Sequence, residues 1–129
     1  MCVIFYYNTY LPYFMQKYLS PLMILFAAIC KAGSDTLAHH FGRSIFKDLN
    51  PEFWNPEVSW KTAEIIFAYK VDAWHLFNSG MIGFFILGVI FYKGISTPLV
   101  DWLDKIADIT ILSFIFIGGF NTFYNHIFL

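Results

Sequence analysis

The sequence predicts an all-α integral membrane protein. It reads as a single membrane domain over residues 1–129, with three transmembrane helices, an interfacial aromatic loop and an amphipathic lead-in to the last helix. Three observations predict this class. Apolar residue types make up 58% of the chain and charged types 13%, against roughly a quarter charged in an ordinary soluble domain. Aromatic residues reach 22%, more large rings than a soluble globule of this length can bury, because a small domain covers only part of its surface. Finally, three segments approach the roughly 20 apolar residues that a helix needs to cross a bilayer.

The clearest span is 73–92, which contains no Asp, Glu, Lys or Arg. A further span covers 106–128, with ILSFIFIGGF at its centre. The first covers 19–41. Ser20-Pro21 reads there as a hydroxyl cap followed by proline at the first helical position, and Gly42 as a stop. Between those marks the helix would reach about 31 Å at 1.5 Å per residue. Lys31 and Asp35 interrupt the apolar run; four apart, they can pair on one face, as an unpaired ion in hydrocarbon is costly. The alternative register slides this span towards LPYFMQKYL, with Pro21 as an internal kink.

The first loop, 42–72, carries the turn signals Asn50-Pro51 and Asn55-Pro56. Phe53, Trp54 and Trp60 suit an aromatic belt at the headgroup level, and Trp74 and Trp102 extend the set of interfacial anchors. Thr62 to Lys70 reads as a short interfacial helix. In the second loop, 93–105, Thr97-Pro98 is another cap-plus-proline start. Asp101, Asp104, Lys105 and Asp108 then recur opposite Leu99, Trp102, Leu103 and Ile106, an amphipathic lead-in lying on the membrane surface.

Net charge is −1, which supplies no basic field for nucleic acid and no cationic cluster for anionic lipid. Cys2 and Cys30 lie in apolar surroundings and make no disulfide framework. Residues 1–16 contain no Lys or Arg, so the N-terminus is expected to be retained rather than cleaved as a signal. With three spans, Arg43, Lys47, Lys61 and Lys70 fall on one side and Lys17, Lys93 and Lys105 on the other. The positive-inside rule therefore leans towards a cytoplasmic first loop.

This topology has a consequence for chemistry. The first span ends at the first-loop face with SDTLAHHF, the second begins there with DAWHLFNS, and the third returns there with NTFYNHIF. All four histidines, with Asp35, Asp72, Asn78, Asn121 and Asn125, are thus expected in one layer. Helical spacing aligns Asp35 with His39, and Asp72 with His75 and Asn78; His40 is rotated away by about 100°. Asn121 and Asn125 also align, with His126 on the neighbouring stripe.

Three readings of this layer compete. A metal reading takes His39, His75 and His126 as nitrogen ligands and Asp35 or Asp72 as an oxygen ligand, an inventory suited to Zn or Fe. It would make the chain a metal-dependent membrane enzyme. A relay reading passes protons or a small solute along the same groups, histidine titrating near neutral pH; one protomer has too little wall for that, so it requires an oligomer. A third reading needs no site. Asp72 caps the second span, and His39, His40 and His126 complement carbonyls in the last turns of their helices. Asp35, His75, Asn78 and Asn121 lie deeper and would be interhelical hydrogen-bonding partners. Separately, Ser79 and Gly83 form a small-xxx-small pair, and Gly88, Gly118 and Gly119 are further points of close helix approach.

The stretches DTLAHHF and SIF, then FWNPEVSWK, then DAWHLF resemble small integral membrane proteins of Bacteroidota and of phages and mobile elements associated with them. The resemblance covers about residues 33–92. The chain departs from that pattern after Ser59-Trp60-Lys61, where Thr62-Ala63-Glu64 replace an Asn-Lys-aromatic run. What the resemblance implies is a shared pattern at residues 35, 39, 40, 54, 60, 72, 74 and 75 and a bacterial inner or phage-associated membrane; it supplies no activity. The expected partners are the lipid bilayer and a second copy or another membrane protein, in a non-enzymatic packing role. A phage-type membrane-permeabilising protein is the third functional expectation, suggested by size and span number, although the chain ends NHIFL without a charged tail.

Overall fold

A computed structural model describes residues 13–62, 65–66, 69–95 and 101–129. Three long helices dominate it: α1 (Tyr13–His40), α4 (Ala73–Ile90) and α5 (Asp101–Thr122). Between α1 and α4 lie the short helices α2 (Pro51–Trp54) and α3 (Pro56–Thr62) and a two-residue antiparallel ladder, β1 (Ile65–Ile66) with β2 (Tyr69–Lys70). Three stretches are long and apolar enough to cross a membrane: Met15–Arg43, Ala73–Ile90 and Trp102–Ile127. The chain is therefore an all-α membrane protein of three spans.

The first span corrects the expected start at Ser20-Pro21. Already helical from Tyr13, α1 carries Pro21 in its interior, which is the slid register. Proline has no N–H to donate to the carbonyl one turn back and normally weakens a helix there. At the other end the helix stops at His40 and tightens into a single 3₁₀ turn, Phe41–Arg43, before the chain turns away.

The first loop differs from the expected interfacial helix over Thr62–Lys70. Asn50 and Asn55 each accept the backbone N–H two residues on, from Glu52 and Glu57, both at 3.0 Å. Each Asn-Pro pair thus starts a short helix, with proline where no N–H is needed. Helix α3 then ends at Thr62, and β1 pairs with β2 in the register Ile65–Lys70 and Ile66–Tyr69.

The lead-in to the third span is also not a separate surface helix. From Asp101 to Thr122 the chain is one continuous helix, which widens into a π-turn over Phe123–Ile127. Thr97-Pro98 lies outside the described residues.

The core sits at the first-loop end. Ala32, Leu37, Phe46, Ala73 and Phe128 are buried there, with Phe53, Trp54, Phe77 and Tyr124 packed around them. The Ile45 N–H donates to the Phe128 carbonyl (2.9 Å), tying the loop to the chain's last turn. Trp54 stacks on Phe46 with centroids 5.0 Å apart and planes within 10°. Phe46 also meets Phe77 at 6.0 Å and Phe128 at 5.2 Å. The loop therefore inserts an aromatic plug into that end of the bundle.

Both α4 and α5 pack chiefly on α1. Close approach occurs at small residues. A Cβ on Gly88 would lie 2.9 Å from Ile24 Cδ1, and one on Gly119 would lie 2.7 Å from Leu25 Cδ1. Gly33 and Gly80 do the same against Phe77 (2.8 Å) and Cys30 Sγ (3.0 Å). By contrast, Gly83 and Gly118 face open space, and Ser79 is exposed. Of the expected packing residues, Gly88 and Gly119 therefore pack within the protomer, whereas Ser79, Gly83 and Gly118 stand on outer faces.

Candidate functional site

The polar residues of the first-loop face find partners close by in sequence. Asp72 Oδ1 accepts the His75 backbone N–H at 2.8 Å, which caps α4, and lies 2.9 Å from His75 Nδ1. Its side chain is buried, with 3% exposure. Asn78 Nδ2 donates to the Trp74 carbonyl (2.9 Å), and Asn125 Nδ2 to the Asn121 carbonyl (3.1 Å). Lys31 Nζ pairs with Asp35 Oδ1 at 2.6 Å, the i,i+4 pair expected on one helix face. His40 lies against Tyr124, centroids 5.7 Å apart, while His39, Asn121 and His126 are exposed.

These positions correct the expected convergence. Among the described residues no three of His, Cys, Asp and Glu approach closely enough to hold one ion. Asp35, Asp72, His39, His75 and His126 are not gathered into such a group, which leaves the expected Zn or Fe centre and histidine cluster without support. The physical reason is the aromatic plug. Phe46, Trp54, Phe77 and Phe128 occupy the junction where those side chains would have met.

The interfacial anchors divide in the same way. Trp60 and Trp102 are 56% and 62% exposed, and Trp74 is exposed at the start of α4. Trp54 is instead half-buried in the plug, edge-on to Phe53 at 5.5 Å.

At the opposite end stands a constellation that sequence reasoning missed. Asp108, placed on the polar stripe of the lead-in, is only 3% exposed. Its Oδ2 accepts hydrogen bonds from the Tyr92 hydroxyl and from the Ile95 N–H, the latter at 2.9 Å. Gly94 has φ +82°, a left-handed conformation that glycine adopts without a Cβ penalty and that turns the Ile95 N–H back towards the carboxylate. This clamp pins the start of the second loop to α5. The Asp108 carboxylate, by accepting a hydrogen bond from the protonated hydroxyl, pushes the Tyr92 phenol up to about 12. The available signal was depth: Asp108 lies within a span, where an ionised group needs partners.

Two cavities accompany these features. One, about 590 Å³, is an apolar groove between α4 and α5 with α1 as its floor; Ile24, Phe85, Val89, Ile109 and Phe116 line it. Ser20 also lines it, and its hydroxyl is buried without a hydrogen-bond partner among the described residues. The other, about 580 Å³, opens at the first-loop end and is lined by His39, His40, Phe41, Arg43, Asn55 and Glu57, together with Ala38 and Gly42.

The chain matches no protein-family model, no curated protein and no solved structure at a significant level.

Proposed function

We propose that this protein is a non-enzymatic packing component of a membrane assembly, docking against a second copy or another membrane protein. The observation that supports it best is the open side between α4 and α5. Each packs on α1, and the groove between them keeps apolar walls from Phe85 to Ile117. Within a bilayer, helices associate through van der Waals fit and close approach rather than through exclusion of water. A concave apolar surface suits a helix better than it suits mobile acyl chains. The exposed Ser79 and the open Gly83, four apart on α4, add a small-residue face of the kind at which membrane helices meet.

On this reading the protein sits in a bacterial inner or phage-associated membrane with its first loop in the cytoplasm. The membrane assignment follows the resemblance over residues 33–92, and the orientation follows four cations against three.

Light scattering of the full chain in mild detergent tests the assembly. The expected particle contains more than one chain, and Val89→Trp, which fills the groove from its exposed rim, returns it to the monomer without unfolding it. The triple variant His39→Ala, His75→Ala, His126→Ala is expected to keep its assembly. A well-folded triple variant that loses a cellular activity, or stoichiometric Zn or Fe in protein purified without chelators, would overturn the proposal.

A further inference from the structure

The second cavity, at the first-loop end, has a charge pattern that the packing role does not use. Arg43 stands just beyond α1, and Glu57 opens α3. Both line the cavity, yet neither side chain has an ion-pair partner among the described residues, and they do not pair with each other. Opposite charges that border one space without neutralising each other leave room for a ligand carrying both signs.

The remaining walls fit the same pattern. Asn55 Oδ1 is held by the Glu57 backbone N–H at 3.0 Å. That bond fixes the amide and leaves Nδ2 as a donor with no partner among the described residues. His39 and His40 contribute imidazoles beside Arg43. A guanidinium, two imidazoles and an amide N–H make a donor set suited to a phosphate, which a guanidinium grips with paired hydrogen bonds. Glu57 is the single carboxylate in the lining, and it suits an ammonium.

We infer that this cavity binds a phosphoethanolamine group, presented as the headgroup of a bilayer lipid. Its volume of about 580 Å³ falls within the roughly 300–1,000 Å³ of small-molecule sites. Its location supports the lipid source, because His39, His40 and Arg43 close the first membrane-crossing stretch, Met15–Arg43, where headgroups lie. A primary ammonium donates hydrogen bonds to Glu57, whereas the quaternary ammonium of a phosphocholine has no N–H to give. Quaternary groups are held by cages of aromatic faces, and Phe41 is the single carbocyclic ring in this lining. A phosphoglycerol headgroup satisfies Arg43 but leaves Glu57 facing an uncharged polyol.

The full chain, purified in detergent and stripped of lipid, can be titrated with dioleoyl phosphatidylethanolamine, phosphatidylcholine and phosphatidylglycerol, with bound lipid counted by native mass spectrometry. One phosphatidylethanolamine per chain is expected, bound about tenfold more tightly than the other two, the ratio a single charge-assisted contact supplies. Arg43→Gln is expected to weaken phosphatidylethanolamine and phosphatidylcholine alike, since both present a phosphate. Glu57→Gln is expected to lower phosphatidylethanolamine to the phosphatidylcholine level and leave the latter unchanged, while Glu57→Asp keeps the preference. Equal binding of the three lipids, a preference for phosphatidylglycerol, or a Glu57→Gln variant that weakens phosphatidylcholine equally would each overturn the inference. Free phosphoethanolamine that competes at the same concentration as the lipid would overturn the lipid source. The headgroup ranking on the unaltered protein decides the matter even if a variant fails to fold.

Discussion

Asp72 and His75 are joined twice, through the His75 backbone N–H at 2.8 Å and its imidazole Nδ1 at 2.9 Å, both on the same carboxylate oxygen. The carboxylate is almost wholly buried, so His75 acts as a local partner of a helix cap. Its ring nitrogen Nδ1 is held at the helix start.

That relationship sets an order of effects. Asp72→Ala removes both bonds and frees a helix N-terminus, with an expected loss of about 1–2 kcal/mol. Asp72→Asn retains an acceptor for the backbone N–H and should cost less. His75→Ala leaves the cap intact and should be the mildest of the three. Thermal unfolding in detergent checks the order; a His75→Ala loss exceeding that of Asp72→Ala would contradict the cap.

The glycines divide into two classes that stability measurements can separate. Gly88→Ala and Gly119→Ala place a methyl 2.9 Å from Ile24 and 2.7 Å from Leu25, contacts that must shift at a cost of about 1–3 kcal/mol. Gly83→Ala and Gly118→Ala meet open space, and alanine is the better helix former by roughly 0.8–1 kcal/mol. The first pair should lower the melting temperature and the second should hold or raise it.

The second and third spans were legible because each rests on a long apolar run that local spacing reveals, whereas the first, interrupted by Lys31 and Asp35, starts earlier than Ser20-Pro21 suggested. The segment 73–92 contains no formal charge, and the helix found there, Ala73–Ile90, differs only at its last turn. What spacing cannot show is which groups fill a junction between helices. Asp35, His39, His75 and Asn121 were correctly read as sharing one end of the bundle, but Phe46 and Trp54 come from a loop whose path no periodicity encodes. Their rings took the space, and Lys31, Asp72 and the Trp74 carbonyl supplied partners within one turn. The Tyr92–Asp108 contact was hidden for the same reason: sixteen residues and a turn separate the two.

The plug itself should be a major contributor to stability. Phe46 is 6% exposed and touches Trp54, Phe77 and Phe128. Its truncation to alanine is expected to cost about 3–5 kcal/mol through lost burial and a residual cavity. Trp60→Ala and Trp102→Ala, at exposed positions, should change detergent unfolding little. Equal losses at all three sites would argue against a localised plug.

The Tyr92–Asp108 clamp carries a pH signature. In the folded chain the phenol is raised from its ordinary 10.0 to about 12 by the Asp108 carboxylate that accepts its hydrogen bond. A raised pKa means that the folded state holds this proton more tightly than the unfolded state. The corresponding stabilisation is complete below pH 10 and is lost as pH rises through about 12, since above both values the phenolate forms in either state and faces Asp108 when folded. Tyr92→Phe removes this dependence, so the stability gap between wild type and variant should shrink between pH 10 and 12. Unfolding measured for both proteins across that window cancels the other tyrosines and the lysines. A gap that stays constant, or widens with pH, would contradict a hydrogen bond donated by Tyr92.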